Sequence, residues 1–498
     1  MTRRLAGLAL VVVLGGCAVG PNYRRPELEP PADWQQRDAA LDSAAAAMDT
    51  STAAVADSTW WQLFGDPVLG DLVQVALQEN YDVRIAAARV EEFMGLYGVA
   101  KSDFYPKVDA AATAVRGQSA LSPTVEGSER PTLNDFNVSV GASWEIDLWG
   151  KIRRSSESAR AQVLAAEEVR RGVVLSTVAL VASSYIDLLS LDRQLEIARL
   201  TVASREHGLA LMKDRRDKGD ASDLELSQVE SEYWLARAQI PSLEKNVVQL
   251  ENALCVLLGR NPGPIPRGSV LDSLALPPVP VHMPSILLER RPDIRQAEEQ
   301  LVAANARIGV AKALYFPSIS LTGLFGFASG DLSKLFETNS RIWDVGGQAL
   351  QPIFRGGEIS GQVKAAEAVQ RQALHDYALT VRSAFRDIED ALVDRKRTQE
   401  QAEAERRWVA ALAVYAKLAR MRYDEGLTSY LEVLDAERSL FSTELQYART
   451  QAVLLRSVVG IYRALAGDWV DHAAARAVQP MDQVPERRGS DAEDPSSR

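Results

Sequence analysis

Few residues in this 498-residue chain are placed to do chemistry. Cys17 closes the run Leu14-Gly15-Gly16-Cys17. Small residues directly before a cysteine form a lipobox, at which the chain is cut and the thiol receives diacylglycerol. Glu432 and Asp435 stand three apart, so on a helix they share one face. The four histidines (His207, His282, His375, His472) fit no metal-ligand spacing, and two cysteines make neither a disulfide framework nor a thiolate zinc site. Cys255 lies in the apolar stretch Asn252–Leu258 and reads as a small buried hydrophobe. No Walker loop, G-x-S-x-G, H-E-x-x-H or G-x-G-x-x-G occurs. The expectation is no enzyme, no catalytic residue, no metal, and no cofactor beyond a covalent N-acyl and S-diacylglycerol lipid on Cys17.

Composition agrees with a folded chain. Hydrophobic residues make up 46% and charged ones 25%, too apolar for wholesale disorder. The formal net charge of −11 argues against a nucleic-acid partner, because affinity for phosphate backbones comes mainly from Lys and Arg. Arg3 and Arg4 precede an apolar run from Leu5 to Leu14, the layout of a secretory signal. That run is too short for the ~20 residues a spanning helix needs. Ala18 follows the cysteine, where an Asp would signal inner-membrane retention, so the outer membrane is favoured. A multiply acylated terminus is a firm anchor, since one chain alone binds marginally.

The remaining sequence is organised by an internal repeat. Residues 82–106 align without gaps on 293–317, with Gly98-Val99-Ala100-Lys101 identical to Gly309-Val310-Ala311-Lys312. Residues 215–230 match 422–437 in the same way. Self-similarity of this kind fixes architecture before local propensity does. Each unit reads as a helix (about 71–103 and 293–314), two strands, and a very long helical hairpin. In the first unit Phe136, Val138, Val140, Ala142, Trp144, Ile146 and Leu148 alternate with polar or small residues. That is the period of a strand, long enough to cross a bilayer at a tilt. In the second unit Trp343, Val345, Ala349 and Ile353 share one parity. Gly219 and Gly426 break the long helices into hairpins, and Pro241 is expected to kink the first returning helix.

An apolar strand face with polar alternates reads as barrel wall in lipid. Four strands cannot close a barrel, and an open edge is not tolerated in hydrocarbon, so chains must associate. The chain divides into a signal peptide (1–16), a lipidated N-terminus and flexible tether (17–59), a first unit (60–259; strands near 106–117 and 135–148, hairpin 150–259), a Pro-rich connector (260–284), a second unit (285–467; strands near 317–327 and 341–353, hairpin 356–467) and a disordered tail (468–498).

The segments 17–26 (CAVGPNYRRP), 60–73 (WWQLFGDPVLGDLV), 284–321 and 422–441 (RYDEGLTSYLEVLDAERSLF) resemble the outer-membrane efflux factor family. The likeness is to its lipoprotein branch, the NodT/OprM-like channels related to TolC. The resemblance implies a mainly α fold with a membrane β-barrel portion: a homotrimer with a shared twelve-stranded barrel and a periplasmic α-helical tunnel. It implies a passive exit duct of a tripartite efflux system, RND-type or similar, exporting small molecules. The implied partners are a periplasmic adaptor, an inner-membrane transporter and outer-membrane lipids, in the outer membrane of a Gram-negative bacterium. The alternatives are a TolC-like duct for protein secretion and a non-channel coiled-coil scaffold lipoprotein.

The resemblance also assigns residues. Glu432 and Asp435 line the narrow periplasmic entrance, the repeat maps Glu432 onto Glu225 and Asp435 onto Gln228, and the constriction is expected to be formed by Glu432, Asp435 and Glu225. Three copies would form rings of negative charge that favour cations. Tyr423 matches a latch tyrosine with Glu225 as its partner. Thr428 stands where some relatives carry a latch arginine, and Arg422 is the available substitute. Gly219, Ser222, Gly426 and Ser429 mark the adaptor-docking tips.

Overall fold

A computed structural model describes residues 18–28, 31, 59–118, 132–278 and 287–481. Cys17 and the signal segment lie outside the described residues. The first run of elements is α1 (Pro67–Glu79), α2 (Tyr81–Ser102), β1 (Lys107–Gln118), β2 (Thr132–Ile146), α3 (Lys151–Asp217) and α4 (Asp223–Leu257). The second is α5 (Pro292–Ala313), β3 (Ser318–Ser329), β4 (Arg341–Leu350), α6 (Glu358–Asp424) and α7 (Tyr430–Leu465). A short α8 (Trp469–Arg476) follows.

Local chemistry sets the breaks. The first helix was expected to run unbroken from about 71, but Asn80 divides it. Its backbone is extended, its side chain accepts from Val83 N at 3.1 Å, and its amide donates to the Leu257 carbonyl at 2.8 Å. An N-cap asparagine starts α2 where α1 ends. Pro241 does not interrupt α4. Both 67-residue helices, α3 and α6, are about 100 Å long. They end on the same motif. Gly219 (φ +83°) and Gly426 (φ +73°) take the left-handed conformation. Asp220 N–H donates to Arg215 O and Leu427 N–H to Arg422 O, each at 2.8 Å, closing a Schellman turn at both tips.

The four strands form one antiparallel sheet in the order β1-β2-β3-β4, so β2 of the first run pairs with β3 of the second. The register sorts the side chains. Val108, Ala110, Ala112 and Ala114 share a face with Phe136, Val138, Val140, Ala142 and Trp144. The same face carries Ile319, Leu321, Phe325, Phe327, Trp343 and Val345. It is exposed: Trp343 and Val345 keep 73% and 79% of their surface. The other face carries Asp109, Asn137, Ser139, Glu145, Thr322 and Asp344. Among the described residues β1 and β4 each have one unpaired edge.

The largest core lies midway along the long helices. It joins the turn Trp60–Phe64, α1, the middle of α3, the end of α7 and α8. Trp60 stacks on Tyr462 at 4.9 Å and meets Trp469 edge-on at 5.8 Å. An apolar stretch of α3 is long enough to cross a membrane, but over half of it is buried in the protein.

One expectation is corrected. The tail was to be disordered from 468, yet Trp469, Val470, Ala473 and Ala474 are buried on one face of α8. Arg170 donates to the Ala474 and Val478 carbonyls at 3.3 Å, satisfying the C-terminal end of that helix. Within the span read as lipidated N-terminus and tether, 18–28 run as a strap along α5, while the Ala/Ser/Asp-rich stretch 38–58 lies outside the described residues. Val19 N–H donates to Trp149 O at 3.0 Å, Asn305 donates to Pro21 O at 2.9 Å, and Arg25 forks onto Glu298 at 2.8 and 2.5 Å. Gly20 (φ +101°) is required there, because a Cβ would sit 2.5 Å from the Gly309 Cα.

Candidate functional site: the hairpin tips and the groove behind them

The two tips share the sequence Ser-x-x-Glu but use it differently. At the first, Ser222 caps α4 in a complete capping box. Glu225 N–H donates to Ser222 Oγ at 3.2 Å, and the Glu225 carboxylate accepts from Ser222 N–H at 2.8 Å and Oγ–H at 2.9 Å. The Ser222 backbone N–H, then its hydroxyl, hold the Glu225 carboxyl below the usual glutamate value. At the second tip the box does not form. Ser429 makes no side-chain cap bond, and Glu432 accepts instead from the Thr428 hydroxyl. The matching position of the first tip is Ala221, which has no hydroxyl to compete. Arg422 lies 3.8 Å from Glu432, so it serves its own tip.

Glu432 is thereby turned toward a groove of about 710 Å³ behind the tips. Asp435, Glu232, Gln228 and Tyr415 also line it, as does Arg438, which pairs with Asp435 at 3.0 Å. The structure therefore brings Glu432, Asp435 and Gln228 together and leaves Glu225 on its cap. Tyr423 faces the first hairpin, where Arg215 donates to its hydroxyl at 2.5 Å and lies 5.1 Å over its ring. The sequence reading did not single out Arg215. Its position in the repeat, opposite Arg422, was the available signal.

A second cluster lies farther from the tips and joins four helices. Arg205 of α3 is buried, and its Nη1 donates to the Glu232 carbonyl at 2.5 Å and lies 3.1 Å from the Glu232 carboxylate on α4. Its guanidinium lies 5.3 Å over the Phe441 ring of α7. Glu437 of α7 is pushed above the usual glutamate value by burial, against the pull of Arg420 and Arg205, and Glu232 adds to the rise. Arg420 of α6 stands 3.9 Å from Glu437 and donates to the Tyr430 hydroxyl at 3.4 Å. Burial pulls Arg205 below its ordinary value, with Glu232 and Glu437 opposing.

The arrangement offers acceptors, a groove and ion pairs, but no nucleophile with a base. Its lining presents carboxylates and a guanidinium group to whatever enters the groove. Comparison with known proteins points the same way. The family model for outer membrane efflux proteins matches residues 72–260 and 283–467. The toluene efflux pump outer membrane protein TtgF of Pseudomonas putida is 36% identical over 472 residues, 94% of this chain and 98% of its own. The cation efflux system protein CusC of Escherichia coli is 33% identical over 473 residues, 94% of this chain and 99% of its own. A crystal structure of CusC superposes with a TM-score of 0.80 at 31% identity, covering 91% of this chain and 100% of that one. The open state of the Neisseria gonorrhoeae MtrE outer membrane channel gives 0.80 at 29% identity, covering 91% and 99%.

Proposed function

The chain belongs to the outer membrane efflux protein family, and from that premise we propose that three copies close their sheets into one twelve-stranded barrel above a helical tunnel. The protein is the outer-membrane channel component of an efflux pump. The observation that supports association of the chains is the sheet: one exposed apolar face, one polar face, and an unpaired edge on each side among the described residues. In hydrocarbon the cost of unpaired backbone groups, several kcal/mol each, forces those edges onto neighbouring copies. The lipid on Cys17 secures the outer-membrane location, and the strap 18–28 ties it to the base of the sheet.

The duct performs no bond-making chemistry. An inner-membrane transporter supplies the driving force, and a periplasmic adaptor docks at the tips around Gly219, Ser222, Gly426 and Ser429. Glu432 and Asp435 form the constriction, repeated around the axis. Tyr423, held by Arg215, keeps the second hairpin against the first at rest, and Arg422 holds Glu432 in place. The cargo is small molecules. The test is the mass of the detergent-extracted assembly together with its conductance in planar bilayers. A trimer mass and discrete channel steps are expected. A monomer without channel activity would overturn the proposal.

A further inference from the structure

The outward face of the sheet ends in an unusual way. Of the strand residues on it, Arg116 and Arg341 are the charged ones, both basic and both at the end away from the helices. The inward face carries Lys107 with Asp109, Asp135, Glu145 and Asp344, so it is mostly acidic. Both arginines are exposed, and neither has a carboxylate partner among the described residues. The turn between β3 and β4 extends the same surface. Its Phe336 packs edge-on against Phe327 at 5.5 Å yet stays 71% exposed. Leu332 is exposed beside it, and so is Lys334. The acidic Asp331 of this turn is engaged in capping Ser333, by N–H at 3.0 Å and hydroxyl at 2.8 Å, while Glu337 is exposed.

Aromatic side chains beside guanidinium groups that have no carboxylate partner among the described residues match one kind of neighbour. It is an acylated lipid with phosphates at the hydrocarbon boundary. We propose that Arg116, Arg341 and Lys334 hold the glucosamine phosphates of lipid A, the lipid that fills the outer leaflet, while Phe325, Phe336 and Trp343 meet its acyl chains. Arginine suits this role because its fork takes a phosphate bidentately. The proposal rests on the barrel reading above.

The test uses the full-length lipidated protein in detergent, with bound lipid counted by native mass spectrometry. Diphosphoryl lipid A and chemically dephosphorylated lipid A serve as probes. The intact protein should retain the diphosphoryl form at least tenfold more tightly. R116A/R341A should lose about fivefold for each arginine removed, with conductance unchanged. Equal retention of the two lipids by the intact protein would overturn the proposal while leaving the barrel standing, and so would a variant that binds like the parent. Absence of bilayer conductance in the intact protein would instead sink the barrel reading, and this inference with it.

Discussion

Arg215 and Tyr423, 208 residues apart, join the two hairpins near their tips through a 2.5 Å hydrogen bond and a ring contact at 5.1 Å. The bond is charge-assisted and of the kind worth roughly 1.5–3 kcal/mol. Tyr423→Phe keeps the ring contact and removes the bond. It is expected to raise the open fraction of the resting channel about tenfold, read as single-channel opening in planar bilayers. Arg215→Ala, which removes both contacts, should exceed it. A closed channel in both variants would take this pair out of the gate.

Glu432→Ala combined with Asp435→Ala should enlarge resting conductance and reduce preference for cations over anions, measured as reversal potential in a salt gradient. Glu225→Ala should leave selectivity nearly unchanged, because that carboxylate is bound to Ser222 and does not line the groove.

Ser222→Ala should cost about 1 kcal/mol of stability through its lost cap. Ser429→Ala, at the matching place, should cost markedly less because no cap bond is there to lose. Thermal unfolding of the two variants side by side decides this.

Glu437 gives the pH dependence a sign. Burial raises its folded value above the unfolded one, so the folded state binds the extra proton. Stability at this group therefore falls as pH rises from the ordinary glutamate value through the raised one. Glu437→Gln should flatten that part of the stability profile and stabilise the protein at neutral pH. A profile unchanged by the substitution would refute it. The facing charged groups are Arg205 on α3, Glu232 on α4 and Arg420 on α6, so the slope should also respond to Arg205→Met.

Gly20→Ala should detach the strap, since the added methyl meets the Gly309 backbone. Faster proteolysis ahead of Thr59, with the helical core intact, is the expected readout.

What could be read from the sequence was what repeats. The alternation from Phe136 onward marked β2, and Gly219 and Gly426 marked where α3 and α6 turn back. That Glu432 and Asp435 share one helix face was legible in their spacing, but the groove they line was not. What escaped depends on contacts between distant residues. The strap reads as an ordinary polar stretch until Glu298 and Asn305 are placed beneath it. Helix α8 is only eight residues long, too short a window to show a helical period, and Trp469 finds its place only against Trp60. Glu225 and Glu432 are equivalent in the repeat and diverge because one neighbour is Ala221 and the other Thr428.

The two long helices have the same length, 67 residues each. Removing seven residues from α3 alone would leave its end short of its companion by roughly 10 Å, and the mouth could not meet a partner squarely. Matched excisions, with the returning arms trimmed to suit, would preserve a level rim and shorten only the distance the duct reaches into the space between the membranes.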